Sequence, residues 1–293
     1  MPNFRTLAKL SRPLHLILAA LTYVLGTGIA RYLGHPINFS AFGLGLLSAL
    51  ALQVAAYWLV EYFRLPLTPL AKDETPRLRE ALRTTLFQSA AALLTVSAAV
   101  VVTLLLTRLL PVAAGVVLGL MAILFISYAT PPLRLSERGY GELLLAIYLG
   151  TLLPILAFLL QVSEFHRLLT FATFPITLLA LAYLLVGNFP TFATDQKFGR
   201  QTLLTRLTWQ RAIPIHHFLL LAAFLLFTIA PFLGFPWGLV WPVFLVLPFV
   251  IVQIVWLQRI ARGGRTLWNF LTELAAATFG LTVYLLAFTF WIR

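Results

Sequence analysis

Carboxylates are scarce in this 293-residue sequence: seven glutamates and two aspartates stand against 21 lysines and arginines, and there is no cysteine. In an apolar chain, an acid or amide at membrane depth is a functional candidate by default, so each one repays placing. Glu61 sits near the end of an apolar run in Tyr57-Trp58-Leu59-Val60-Glu61-Tyr62-Phe63-Arg64, and Asp73, Glu74 and Glu80 follow in a polar loop. Glu137 and Glu142 frame a turn that begins at Tyr128 and contains Pro131-Pro132 and Gly139-Tyr140-Gly141. Asp195 lies between Asn188-Phe189-Pro190 and the basic stretch Lys197-Phe198-Gly199-Arg200. Glu164 and Glu273 complete the set. With no cysteine, thiolate nucleophiles, disulfides and sulfur-ligated metals are excluded. His216 and His217 are adjacent, so on a helix their side chains point about 100° apart and suit an interfacial position better than a shared metal.

The elements that must position these groups are membrane spans. Hydrophobic residues make up 61% of the chain, charged residues 10%, and the mean hydropathy is +0.95. That composition excludes an ordinary cytosolic enzyme, a disordered tail and a nucleic-acid binder. Nine apolar stretches reach the roughly 20 residues needed to cross a bilayer. They run near 14–34, 40–63, 85–107, 110–129, 142–162, 168–189, 214–234, 237–257 and 270–292. The sequence predicts an all-α polytopic membrane protein, one domain over 1–293, with nine transmembrane helices around a central apolar cavity. Only Arg31, Arg108, Arg167 and Arg293 fall on one face, and the other 17 of the 21 basic residues fall on the opposite face. The positive-inside rule then sets the N-terminus in the cytoplasm and the C-terminus outside a prokaryotic-type inner membrane. Apart from Glu164, the candidate acids gather on the cytoplasmic side. This one-sided placement argues against a secondary transporter, whose polar groups lie at the midplane. It also argues against a proton channel, and the histidines sit too near the boundaries for a haem site.

Three stretches together carry a resemblance. They are Ser11-Arg12-Pro13 before the first span, the Tyr128 to Glu142 turn, and Asn188-Phe189-Pro190 through Asp195 with the basic tail to Leu203. With nine spans in matching order, the chain resembles the UbiA superfamily of intramembrane aromatic prenyltransferases. It is most similar to the menaquinone-pathway branch that prenylates 1,4-dihydroxy-2-naphthoate. The resemblance implies transfer of an isoprenyl chain from a prenyl diphosphate to an aromatic, naphthoquinone-type acceptor. It also implies Mg²⁺, a hard cation that bridges oxygen ligands and phosphates. Glu61 and Asp195 would be the catalytic and metal-binding acids. Asn188, Lys197, Arg200, Arg64 and Tyr128 would bind substrate, the basic groups neutralising phosphate charge.

The chain departs from the family where the family is most acidic. The first aspartate motif is matched only by Val60-Glu61-Tyr62-Phe63-Arg64, or in a four-residue register by Gln53, Tyr57 and Glu61. The second has Thr191 in place of its first aspartate and keeps Asp195. Two aspartates in all, Asp73 and Asp195, cannot build a four-aspartate, two-magnesium site. Three readings follow. Glu61, Asp195 and Asp73 could hold one metal with Lys197, Arg200 and Arg64 supplying charge. The fold could instead bind a quinone, isoprenoid or pigment tail without reacting it, or serve as a structural subunit of a membrane complex. Taken singly, Glu61 also suits an ion pair with Arg64, Tyr128 an interfacial aromatic, and Glu142 a cap on the fifth span.

Overall fold

The computed structural model describes residues 4–64 and 75–293. A short helix α1 (Phe4–Leu10) leads into α2 (Pro13–Tyr32), α3 (Phe39–Tyr62), α4 (Pro76–Leu106) and α5 (Val112–Ala129). The fifth span is α6 (Gly141–Ile147) joined to α7 (Leu153–Leu159) through a π turn, Tyr148–Leu152. Then come α8 (Arg167–Gly187), α9 (Phe192–Lys197), α10 (Leu203–Ile229), α11 (Trp237–Val240), α12 (Leu247–Ala261) and α13 (Trp268–Ile292). Among the described residues nine helical stretches are long and apolar enough to cross a membrane, and there is no strand. The expected all-α, nine-span architecture is the one observed.

Local sequence explains where the helices start. Pro13 opens α2 at a position where its missing N–H costs nothing. Asn38 caps α3 by accepting from the Ala41 N–H at 3.0 Å. Thr202 and Thr205 form a reciprocal capping box at the head of α10, the Thr205 hydroxyl accepting the Thr202 N–H at 2.7 Å. That box starts the helix well before the apolar run at 214. The span expected near 214–234 is therefore preceded by helix from Leu203, and His216 lies about two turns beyond the break at Thr208. Expected at the interface, His216 is instead fully buried and meets Gln253 Nε2 at 2.7 Å, and Gln253 Oε1 accepts from Thr278. Three helices thereby share one buried polar cluster.

Small residues let the spans approach closely, as membrane helices require. A Cβ on Gly26 would lie 2.0 Å from the Pro154 carbonyl oxygen, so α2 rests backbone-to-backbone on α7. A Cβ on Gly150 would lie 2.4 Å from Thr177 Cα in α8, where the Thr151 and Thr177 hydroxyls pair at 2.7 Å. Pro154 has no N–H to bond the Gly150 carbonyl, which accounts for the wider π turn just before it. In α10 the helical path breaks at Thr208, whose φ of 65° is strained for a β-branched residue. The next residue, Trp209, packs edge-on against Phe189 and Trp268, with ring centres 4.7 and 5.6 Å away, and holds the break in place.

Candidate functional site

One cavity of about 380 Å³ lies where several helix ends converge. The start of α2 brings Arg12 and His15, the end of α5 Tyr128, and the start of α6 Glu142. The end of α8 and the segment after it add Tyr183, Asn188, Thr191 and Arg200, while the first turns of α13 add Thr272 and Glu273. Leu14, Leu145 and Leu184 make the apolar part of its wall. This is the end of the bundle that carries most of the basic residues.

Glu142 organises the cavity wall. It is buried, accepts a hydrogen bond from Asn188 Nδ2 on one oxygen, and accepts the Leu203 N–H at 3.1 Å on the other. A carboxylate buried in this way needs such donors to offset its desolvation. Glu142 therefore ties the fifth span to the end of α8 and the head of α10. Its role is broader than a cap on its own helix.

Arg12 lines the same cavity in the left-handed conformation, φ 52°, with its guanidinium carbon 5.0 Å from the centre of the Tyr57 ring. Burial works against its charge, but the hydroxyls of Tyr128 and Tyr57 and the carboxylates of Glu61 and Glu142 outweigh it. The Arg12 pKa is therefore raised above the ordinary arginine value. Among the described residues it forms no ion pair within 4 Å. Its cation is thus turned to the cavity.

The seven expected site residues divide. Tyr128, Asn188 and Arg200 line the cavity together. Glu61 does not; it pairs with Arg64 at 2.9 Å. Asp195 is buried beside the cavity, where its carboxylate accepts the Thr191 hydroxyl at 2.8 Å and sits 3.7 Å from Arg200. Lys197 lies over the Phe198 ring, 5.7 Å from its centre. Asp73 lies outside the described residues. The residues that sequence reasoning missed are Arg12, His15, Tyr183 and Glu273. An arginine ahead of a first span is already accounted for by the positive-inside rule, and a histidine at position 15 suits a span boundary, so neither Arg12 nor His15 signals a site from sequence alone.

These contacts test the fit of Mg²⁺. Glu61 faces Arg64, Asp195 faces Thr191 and Arg200, and both Glu142 oxygens accept hydrogen bonds. Among the described residues no three His, Asp or Glu side chains gather as a metal cluster. A hard divalent cation wants several converging carboxylate or water oxygens, and this donor set does not fit it. The cavity is furnished instead with cationic donors.

The structure of a UbiA homologue from Archaeoglobus fulgidus bound to DMAPP and Mg²⁺ matches 95% of this chain and 99% of its own length, with a TM-score of 0.64 and 15% identity. The chain has the UbiA fold. The apo structure of a UbiA homologue from Aeropyrum pernix K1 agrees, with a TM-score of 0.60 and 15% identity over 92% of this chain and 95% of that one. So does a digeranylgeranylglyceryl phosphate synthase, matched over the whole of both chains with a TM-score of 0.61 and 11% identity. No protein-family model and no curated protein matches the sequence. Identities this low carry the UbiA fold and leave chemistry to be argued from the residues.

Proposed function

We propose that this chain is a UbiA-superfamily prenyltransferase, one domain that binds a prenyl diphosphate in the Arg12–Arg200 cavity. It transfers the isoprenyl chain to an aromatic, naphthoquinone-type acceptor, and the motif resemblance supports 1,4-dihydroxy-2-naphthoate. The observation that carries this reading is the Arg12 guanidinium, held without an ion-pair partner among the described residues in a cavity that Arg200 also lines. Guanidinium groups recognise phosphate oxygens through paired, charge-assisted hydrogen bonds. Ionisation breaks the allylic C–O bond, and the diphosphate leaves with the electron pair. The faces of Tyr128 and Tyr183 can stabilise the allylic cation. A ring carbon of the acceptor then forms the new C–C bond, and the proton it carried passes to the departing diphosphate. Asn188 acts through Glu142, whose position it fixes. Glu61 and Asp195 balance the charges of Arg64 and Arg200 in this scheme, and Lys197 adds positive potential at the mouth. The basic end faces the cytoplasm of a prokaryotic-type inner membrane, where diphosphates are found.

A second reading, an isoprenoid or quinone carrier without chemistry, is favoured by one observation: both motif acids already have partners within the chain. One experiment decides between them. The purified protein is incubated with dimethylallyl or geranylgeranyl diphosphate and dihydroxynaphthoate, and products and co-purified lipids are identified by mass spectrometry. A prenylated naphthoate is expected. A tightly bound isoprenoid with no transfer would favour the carrier, and failure to bind either diphosphate would remove the enzyme reading.

A further inference from the structure

A hydrogen-bonded chain that the reading above does not use runs from the middle of the bundle to the cavity. The Tyr148 hydroxyl lies 3.0 Å from the Ala49 carbonyl oxygen and 3.4 Å from Gln53 Oε1, so it donates toward them. Gln53 is fully buried, and its Nε2 donates to the Tyr57 oxygen at 3.0 Å. The Tyr57 hydroxyl is 3.0 Å from His15 Nδ1. Polarity along the chain follows from the donor inventory. The Gln53 amide spends its acceptor on Tyr148 and its N–H on Tyr57. Tyr57 has one proton of its own and His15 is in place to take it. In that arrangement the neutral imidazole accepts at Nδ1 and carries its hydrogen on Nε2, and the His15 ring lines the cavity.

The ring is also held mechanically. His15 meets Tyr57 and Tyr183 edge-on, with ring centres 5.8 and 5.7 Å away, and Tyr183 stacks on Phe279 with an interplanar angle of 2°. An N–H donor thus stands between two aromatic rings, in the same wall as the leucines and three residues on from Arg12. We infer that His15 Nε2–H is the specificity element for the acceptor, donating a hydrogen bond to an oxygen carried by a flat aromatic ring: a phenol, a phenolate or a quinone carbonyl. Tyr57 is the positioning residue that fixes the tautomer. This inference rests on the reading of the cavity as a prenyl-transfer site and adds to it a means of preferring a ring that carries oxygen.

The test uses the full chain in detergent with two ring probes of matched shape, 1,4-naphthoquinone and naphthalene, and with dimethylallyl diphosphate as an independent probe. One well-made hydrogen bond corresponds to about tenfold in affinity, so wild type should prefer the quinone by about that factor. His15→Leu should abolish the preference and His15→Gln, which keeps an N–H donor, should restore part of it. In ¹⁵N spectra of histidine-labelled protein, His15 should carry hydrogen on Nε2, and Tyr57→Phe should convert that signature to a mixture of tautomers with a partial loss of preference. Equal wild-type affinity for the two rings, or hydrogen on Nδ1 of His15, overturns the inference. Wild-type protein that binds no dimethylallyl diphosphate overturns the prenyl-transfer reading instead, whatever the ring data give.

Discussion

Asn188 donates a hydrogen bond to Glu142 from 46 residues away, joining the end of α8 to the start of α6. Glu142 in turn accepts the Leu203 N–H, so one carboxylate holds three chain segments around the cavity. The positions of Tyr128, on the preceding helix end, and Arg200, in the segment after α8, are set by this junction.

Asn188→Ala and Glu142→Ala should each cost about 1–3 kcal/mol, because each leaves a buried polar partner unsatisfied. The double variant should fall short of the sum, since the second change removes a group already stranded. Denaturation midpoints in detergent, read as a double-mutant cycle, check this. Strict additivity would mean that the two side chains do not act together.

Arg12→Gln should weaken dimethylallyl diphosphate binding by roughly 10- to 100-fold, the range for hydrogen bonds to a charged group. Arg64→Gln should matter far less, because Arg64 is already paired with Glu61. Because the folded-state pKa of Arg12 is raised, its charged form persists below the unfolded value and is lost only as pH rises through the folded one. Both lie above the working range. Its contribution to diphosphate binding should therefore be flat between pH 6 and 9, and a titration of affinity against pH will show whether it is.

Asp195→Asn retains an oxygen to accept from Thr191 and loses only a 3.7 Å pair with a partly exposed arginine. The stability change should stay within about 1 kcal/mol. Diphosphate binding should survive chelation of divalent cations, because Glu61, Asp195 and Glu142 are engaged by Arg64, Arg200, Thr191, Asn188 and Leu203, which leaves Glu273 as a lone carboxylate in the cavity wall. A loss of binding on adding EDTA, restored by Mg²⁺, would contradict this.

Gly26→Ala should abolish folded protein in the membrane, since the new methyl would meet the Pro154 carbonyl and neither backbone can yield. Gly119→Ala, with open space around its Cα, is the matched control and should express normally. Yields of monodisperse protein after extraction distinguish the two.

The nine spans were legible because a bilayer imposes a length and an apolar composition that few other constraints imitate. The head of α10 was not. Arg206 and Arg211 dilute its hydropathy, and its start depends on a Thr–Thr box with no acidic residue to flag it. Tyr128, Asn188 and Arg200 were found because motif and cavity coincide. Arg12 and His15 were hidden, since an arginine before a first span and a histidine at its boundary are each explained well enough by the membrane interface. Gln53 and Tyr57 were noticed at four-residue spacing and set aside as poor metal ligands. The spacing does put both on one face of α3, where they bond to each other. Which helix ends converge is tertiary information, and no local pattern carries it.

The π turn at Tyr148–Leu152 makes the fifth span one residue longer than an unbroken α-helix covering the same path. Deleting a residue there would tighten the turn onto Pro154, which still has no N–H to offer the carbonyl before it. The two halves would keep their phase, because the wide turn takes up its extra residue locally. Leu156, Ala157, Phe158 and Leu159 would stay in the core and Glu142 on Asn188. What would be lost is the fit of the turn itself, where Gly150 touches Thr177 and Thr151 pairs with it. The irregular turn is thus a splice, fitting the fifth span to α8 at one level and leaving both its ends undisturbed.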